Sequence, residues 1–548
     1  MASFSPVTSK AIVVAAFLIL AEYLDSTHGR SCAVGENANS SFFSSRFVFG
    51  YIPNGRDLQS QGDFGFQIQS RNLTQPQVDI LNPSGLAFVE VPIPNTHGVP
   101  PKNALEDVFH IKTEADSMIH AFNGVPSPRT VDSYGTFSVI PEEYLGQEYF
   151  LVTMTGQTPG YATISSMNSS TRVNIRFNGR AQVYNGGNYD RGDEKEFCLE
   201  PWKNILIKIL TNDFSGSRLL ADHPVSVVCG TPCAFSPGHE HWDQDCDAVI
   251  EQLTPFDRWG TVFNVPSFPG DDEDFCVMIV AGRNGTTVTM NLDTVITALL
   301  DEGETVVECT NLSLARLTSN KPIQVVALKT VNAAMVTIPP EEQYISGDTY
   351  IYVPDATTYG VSSGFITVVT SCEFNGVFNV IRVWNDTRQP QLEPMYESKQ
   401  HNGSCALYYD LVMDATYEIM VSDLSASYFA LVNSFCAETA GSSVGAQGFK
   451  RLRCIDYDSM FTGDNACHDV YRSSSFSFSS KGNRITQEPD QEYFTRTTFN
   501  CASACAQEAN AICKAFTWSK VTGACRLYGS FNPATDTSPE TGGYIYTV

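Results

Sequence analysis

Along most of this 548-residue chain, apolar and polar residues alternate. The runs are short, as in Tyr161–Phe177 ("YATISSMNSSTRVNIRF") and Phe275–Leu292 ("FCVMIVAGRNGTTVTMNL"). A period of two sends successive side chains to opposite faces of a pleated strand, so the pattern predicts strands. Gly, Asn and Pro between the runs predict turns. Long stretches with a helical apolar period are absent, and the expectation is a mostly β protein.

The pattern also repeats. Strand-like segments ending in proline recur as "RFVFGYIP" from Arg46, "YGTFSVIP" from Tyr134, "WGTVFNVP" from Trp259 and "SGDTYIYVP" from Ser346. A predicted hairpin follows each, beginning at Phe64, Tyr161, Phe275 and Gly364. Each copy then closes with a strand after a small or polar turn, starting at Glu114, Ala221, Ser319 and Ser425. The copies predict tandem β-sandwich-like units at 45–127, 128–255, 256–335 and 336–436. A β-propeller is the alternative, disfavoured because the units are long for four-stranded blades.

A small-residue linker, 437–453, leads to a different module at 454–548. There Cys501 and Cys505 share one face of an Ala-rich predicted helix. "CKAFTW" (Cys513–Trp518) and "ACRLYG" (Ala524–Gly529) predict two strands around a turn. In so short a piece, disulfides replace a large core, which makes this a small stapled α+β fold.

The net charge is −26 and the pI about 4.6. With no basic stripe, the chain repels phosphate, so neither nucleic acid nor an anionic membrane surface is an expected partner. At the N-terminus, Lys10 precedes an apolar run, Ala11–Ala21, and then the small residues of "DSTHG". That order predicts a signal peptide at 1–29. The run is too short to span a bilayer and no longer one follows, so no membrane insertion is expected. Sixteen cysteines and sequons at Asn39, Asn72, Asn168, Asn284, Asn311, Asn385 and Asn402 agree with an exported, disulfide-bonded glycoprotein.

Two stretches carry a family resemblance. "LLADHPVSVVCGTPCAF" from Leu219 is followed by "CDAVIEQLTPFDRWGTVFNVP" from Cys246, and "GRNGTTVTMNL" from Gly282 by "LTSNKPIQVVAL" from Leu317. This resembles the IgGFc-binding protein N-terminal domain family over about 45–436. The matching positions are Cys233, Cys246, Asp247, Glu251, Gln252, Leu253, Pro255, Trp259, Gly260, Phe263 and Pro266. The C-terminal Cys-x₃-Cys … Cys-x-Ala-Phe … Cys-x-Leu spacing resembles a PAN/apple domain. These resemblances imply secreted mucus- or matrix-type surroundings and modules that bind proteins or glycans. Nothing in these residues carries immunoglobulin binding over.

The stretch Val227–Asp247 ("VVCGTPCAFSPGHEHWDQDCD") poses the chemical question. Cys229 and Cys233 have a zinc-like spacing, but His239 and His241 do not, and oxidation competes for exported thiols. The family resemblance implies a Cys233–Cys246 disulfide instead. Asp243, Asp245 and Asp247 begin like an EF-hand, yet Ala248 and Thr254 stand where Gly and Glu are required. These three, with Asp271, Asp272 and Asp274, stay as weak calcium candidates; no other cofactor is expected.

Position within the repeats pairs Cys198–Cys229, Cys276–Cys309 and Cys372–Cys405. The PAN resemblance implies Cys501–Cys525 and Cys505–Cys513, which leaves Cys454–Cys467 and Cys32–Cys436. "GVSSG" around Ser362 fits a nucleophile-elbow pattern, but the run after it reads as a strand and only His401 and His468 follow. No enzyme is expected. Arg191, Gly192 and Asp193 form an adhesion-type tripeptide in a polar turn. The reading is a secreted adhesion, matrix or mucus scaffold that binds extracellular proteins or glycans, with self-association a further option. The alternative is a soluble, lectin-like innate-immune recognition protein.

Overall fold

A computed structural model describes residues 44–52, 63–70, 78–81, 88–90, 97–98, 108–125, 133–154, 159–184, 186–211, 214–234, 247–268, 275–329, 333–353, 363–384, 387–392, 396–399, 403–412, 415–435, 441–446, 477–485, 491–494, 515–518, 524–528 and 537–547. Among them the regular elements are strands and short 3₁₀ turns. The chain divides into two compact units. One holds Met1–Met167, Val173–Phe197 and Trp202–Phe461; the other holds Asn168–Arg172, Cys198–Pro201 and Thr462–Val548.

The third repeat shows the building plan. Its centre is one long strand, Leu314–Lys329. The first half pairs with Gly260–Pro266 and Thr286–Asn291, the second with Phe275–Ala281 and Met335–Ile338. Val295–Leu300 and Thr305–Thr310 are the edges. Side chains from both halves meet in one core that includes Val277, Ile279, Val288, Met290, Leu317 and Val325. This is a sandwich in which a single bent strand serves both layers.

The first repeat has the same strand order around Phe109–Val125, and the second around Arg218–Ala234. The second adds a hairpin, Ala181–Val183 with Gly187–Tyr189. Only in the fourth is the central strand divided, into Ala415–Val421 and Ser427–Phe435. The polar segments read from sequence as turns at Glu114, Ala221 and Ser319 are therefore bends inside continuous strands. At Ser425 the turn is real, and Asp423 caps it by accepting from the Ser425 amide at 2.9 Å.

Two further readings need correction. "YGTFSVIP" and "WGTVFNVP" are not equivalent. Ser133–Ser138 closes the first sheet, whereas Gly260–Pro266 opens the third. The true counterpart of Gly260 is Gly146, at the start of the second sandwich's opening strand. The shared Gly-Thr and proline letters had put the first copy out of step by one strand. Second, Gly441–Ala446, within the expected linker, is a strand paired to Ser427–Phe435. Its small residues lack alternation, so only the partner's backbone reveals it.

The four closing strands form the hub. Ser133–Ser138 packs on Asp247–Gln252, which packs on Met335–Ile338, which packs on Gly441–Ala446, which returns to Ser133–Ser138. Phe122 of the first sandwich lies in the fourth's core cluster with Ile351 and Tyr417. The four units are sandwiches, not propeller blades, but they are set in a closed ring.

The C-terminal unit is a five-stranded antiparallel sheet in the order Ser477–Ile485, Thr537–Thr547, Ala515–Trp518, Ala524–Tyr528, Gln491–Phe494. The hairpin expected there pairs Phe516 with Leu527. The helix expected around Cys501 lies outside the described residues.

Candidate functional site

Three turns join the sandwiches. Glu142–Tyr144, Phe256–Arg258 and Glu341–Gln343 are 3₁₀ turns, preceded by Pro141, Pro255 and Pro340. Each proline carbonyl accepts a hydrogen bond three residues on, from Tyr144 (2.9 Å), Arg258 (2.9 Å) and Gln343 (2.8 Å). Proline suits this place because its φ is already set and its missing N–H is not needed. Glycines then let neighbouring joints approach. A Cβ on Gly146 would lie 2.4 Å from Pro255, and one on Gly260 2.3 Å from Pro340. A proline followed four residues on by a large apolar residue (Leu145, Trp259 and Tyr344) is a signal in the sequence that marks all three joints and that the strand pattern alone does not reveal.

An ionic cluster locks the second sandwich to the third. The Glu148 side chain, 0% exposed, accepts from Arg218 (2.8 Å) and from both terminal nitrogens of Arg283 (2.8 and 2.9 Å). Glu302 binds Arg176 at 2.8 Å and reaches Arg218 at 3.4 Å. The Arg283 guanidinium also lies 3.9 Å from the centre of the Phe256 ring, a cation–π geometry. Between the first and second sandwiches, His110 stacks on Trp202 at 4.2 Å. Trp202 holds φ of 59°, a left-handed value that is costly for a bulky side chain. Burial, with Arg46 and Lys112 nearby, lowers the His110 pKa to about 4.

The acidic loop gives a partial answer to the zinc question. Cys233 is oxidised in a disulfide. Cys229 is a free, buried thiol whose pKa burial pushes up to about 12. The expected Cys198–Cys229 bridge is therefore wrong. Cys198 is disulfide-bonded and exposed on Glu194–Leu199, while Cys229 is enclosed opposite Ala162 and Glu251. Cys276–Cys309 and Cys372–Cys405 are bonded, each across a separation of 33 residues. Among the described residues no three His, Cys, Asp or Glu side chains gather as metal ligands. Cys246, His239, His241, Asp243, Asp245, Asp271, Asp272 and Asp274 lie outside the described residues, as does the Asp247 side chain. So do Cys32, Cys436, Cys454, Cys467, Cys501, Cys505, Cys513 and the side chain of Cys525.

Among the described residues one enzyme-like pair occurs. Ser138 Oγ lies 3.2 Å from His120 Nδ1. The two residues face each other across paired strands and are both buried, so no substrate reaches them. Burial lowers the His120 pKa to about 3. Ser362 lies outside the described residues, and the element after it is the strand Ser363–Ser371, not a helix. Arg191, Gly192 and Asp193 are exposed on the turn before Glu194–Leu199. There Gly192 has φ of 90°, and Asp193 Oδ2 accepts from the Asp190 amide at 2.8 Å. Asn168 and Asn284 are exposed in corresponding hairpin turns of the second and third sandwiches, and Asn311 is exposed after Thr305–Thr310. Asn39, Asn72, Asn385 and Asn402 lie outside the described residues.

The IgGFc binding protein family model matches residues 135–417, just over half of the chain. The chain belongs to the IgGFc-binding protein family. A PAN domain model matches 477–545, on the C-terminal sheet. Human IgGFc-binding protein is 30% identical over 155 residues, which cover 28% of this chain and 3% of the human protein. The chain thus corresponds to a small part of that relative's length.

The positions that carried the IgGFc-binding resemblance are mostly joint residues. Gln252 Oε1 accepts from the Ile140 amide at 2.7 Å and its Nε2 donates to Ser226 Oγ at 2.8 Å, which ties the first joint to the second sandwich. Glu251 is buried at the hub, where burial raises its pKa well above the carboxylate range despite a hydrogen bond from the Thr337 backbone. Trp259 Nε1 donates to the Thr254 carbonyl at 3.0 Å, and its ring packs on Phe150 and Phe256. In this chain the family motif holds the ring together, and the turn that it positions, Phe256–Arg258, is buried in the joint.

Proposed function

We propose that this chain is a secreted, glycosylated, non-enzymatic adhesion or scaffold protein that binds extracellular proteins or glycans. The observation that carries the reading is the ring itself. Its second joint is buried, the turns that carry Asn168, Asn284 and Arg191–Asp193 are exposed, and a PAN domain supplies a second module. Several weak sites on one rigid body gain avidity through effective concentration. The acidic charge, the signal-peptide-like leader and the cysteine content favour an extracellular setting. The exposure of the RGD turn and of the sequons at Asn168, Asn284 and Asn311 supports the reading.

The test is binding of the purified full-length protein to mucus, to extracellular matrix and to a glycan array, before and after mild reduction. The expected result is retention on mucus or matrix, lost on reduction and unaffected by Ser362→Ala. An immunoglobulin Fc column belongs in the same experiment, because the human relative's name refers to that ligand. Turnover of a substrate that a single substitution abolishes would overturn the reading. A protein that stays soluble and selects one glycan would replace the scaffold with a recognition factor.

A further inference from the structure

The lateral edges of the four sandwiches are treated differently. In the first, the strand at this position is only Phe88–Glu90. In the second it is Glu194–Leu199, which begins Glu-Lys-Glu with all three exposed. In the fourth it is Thr387–Leu392, interrupted by Pro390. A short strand, charged side chains and an edge proline are three common ways of preventing an exposed strand from pairing with another chain.

The third sandwich uses none of them. Its edge strand is Val295–Leu300, "VITALL", without charge or proline. The inward residues Ile296 and Ala298 pack on the core. The outward row is Val295, Thr297 and Leu299, and Val295 and Leu299 are 69% and 72% exposed. Among the described residues this strand pairs with Thr286–Asn291 alone.

Charge says what this edge accepts. Asp293 is exposed just before the strand, and Asp301 and Glu304 just after it. Antiparallel pairing with a second copy would set Asp293 against the other copy's Asp301 and Glu304 at both ends. Each copy also carries a net charge of −26. Like charges opposed across a ladder are destabilising, so a second copy fits badly.

We propose that Val295–Leu300 is a β-addition site for an extended segment of a partner protein, apolar in its middle and basic at both ends. Backbone hydrogen bonds to the open edge supply affinity, Val295 and Leu299 select apolar residues, and the acidic ends fix the register. This deepens the binding reading above and rests on it. The test needs no natural partner, so it can fail independently of mucus or matrix binding.

The probe is a short synthetic peptide that alternates Val and Thr between terminal pairs of Lys, added to the full-length protein. Hydrogen exchange should slow at Val295–Leu300. The exposed double change Val295→Lys with Leu299→Lys should weaken binding by about tenfold or more without altering thermal unfolding, since it repels the basic ends and removes the apolar row. A control peptide with Glu in place of Lys should not protect the strand. Absence of protection, or equal binding of the Glu peptide, would overturn the proposal. So would a concentration-dependent dimer of the unliganded protein that the double change abolishes, because the edge would then belong to a second copy.

Discussion

Gly216 and Gly303 meet across the joint between the second and third sandwiches. A Cβ on Gly216 would lie 1.8 Å from the Gly303 carbonyl oxygen, and the two residues hold φ of 87° and 80°. The Asn178 amide bridges the same place, donating to Ser215 O at 2.7 Å and to Gly303 O at 3.4 Å. Gly216→Ala therefore meets both a left-handed backbone and a backbone clash. It should destabilise the ring by about 2 kcal/mol or more, seen as a lower urea midpoint. Ala at Gly192, also left-handed but with open space around it, should cost only the smaller conformational part.

Glu148→Gln tests the ionic cluster. The change leaves Arg218 and Arg283 facing a neutral amide in a buried setting. The expected loss is about 1–3 kcal/mol, because Arg218 and Arg283 lose their buried acceptor but keep Glu302 within 3.4 and 3.8 Å. Chemical denaturation would measure it, and a loss near zero would mean that water screens the cluster.

Gln324 is buried, and neither of its amide atoms has a protein partner among the described residues. It lines a small recess with Thr337, Ile338 and Gln343 that has room for about one water molecule. Gln324→Leu should leave stability unchanged or raise it by about 1 kcal/mol, since an unpaired polar group is replaced by an apolar one. A marked loss in thermal unfolding would indicate a bound water held by the amide.

Acid stability should depend on the buried histidines. In the unfolded chain a histidine titrates near 6.5, while His120 and His110 titrate at about 3 and about 4 in the fold. Between those values the unfolded chain binds protons that the fold refuses. Their contribution is thus complete above about 6.5 and is lost as the pH falls toward 4. Buried Glu251 and half-buried Glu142 act in the opposite sense, because their raised pKa values let the fold take up protons first. His120→Asn should flatten the slope of stability against pH between about 6 and 4 by about 1.4 kcal/mol per pH unit. Identical slopes would show that His120 is not held neutral.

Cys229 should resist alkylation in the folded protein and react only on unfolding, since its thiol is enclosed and its pKa is raised. With one of sixteen cysteines free, an odd number remains, so they cannot all pair within the chain. Peptide mapping without reduction should find a further thiol or a bond between chains. A Cys198–Cys229 peptide would refute this.

The sequence made the strands legible because a half-buried strand announces itself by alternation, as in Val288 and Met290 facing the core from a Thr-rich hairpin. It also placed the Cys276–Cys309 and Cys372–Cys405 bridges, which share a spacing of 33 residues although they sit at opposite ends of the corresponding strand pairs. Cys229 was misread because Val227–Thr231 is buried on both faces, which removes the alternation that would have shown where its side chain goes. The cluster of Glu148 with Arg283 was invisible for another reason. The two lie 135 residues apart, and only the bend of the central strands and the Pro255 turn bring them together.

The ring also sets an order of assembly. Each sandwich can gather its own strands as the chain emerges, but Ser133–Ser138 has one neighbour, Gly441–Ala446, that is synthesised last. Contacts so distant in sequence form late and slowly. Until then Phe122 and the flank of the first sandwich wait uncovered. The seam between first and fourth is thus where two nascent copies at high local concentration exchange ends most readily, each closing the other's circle instead of its own.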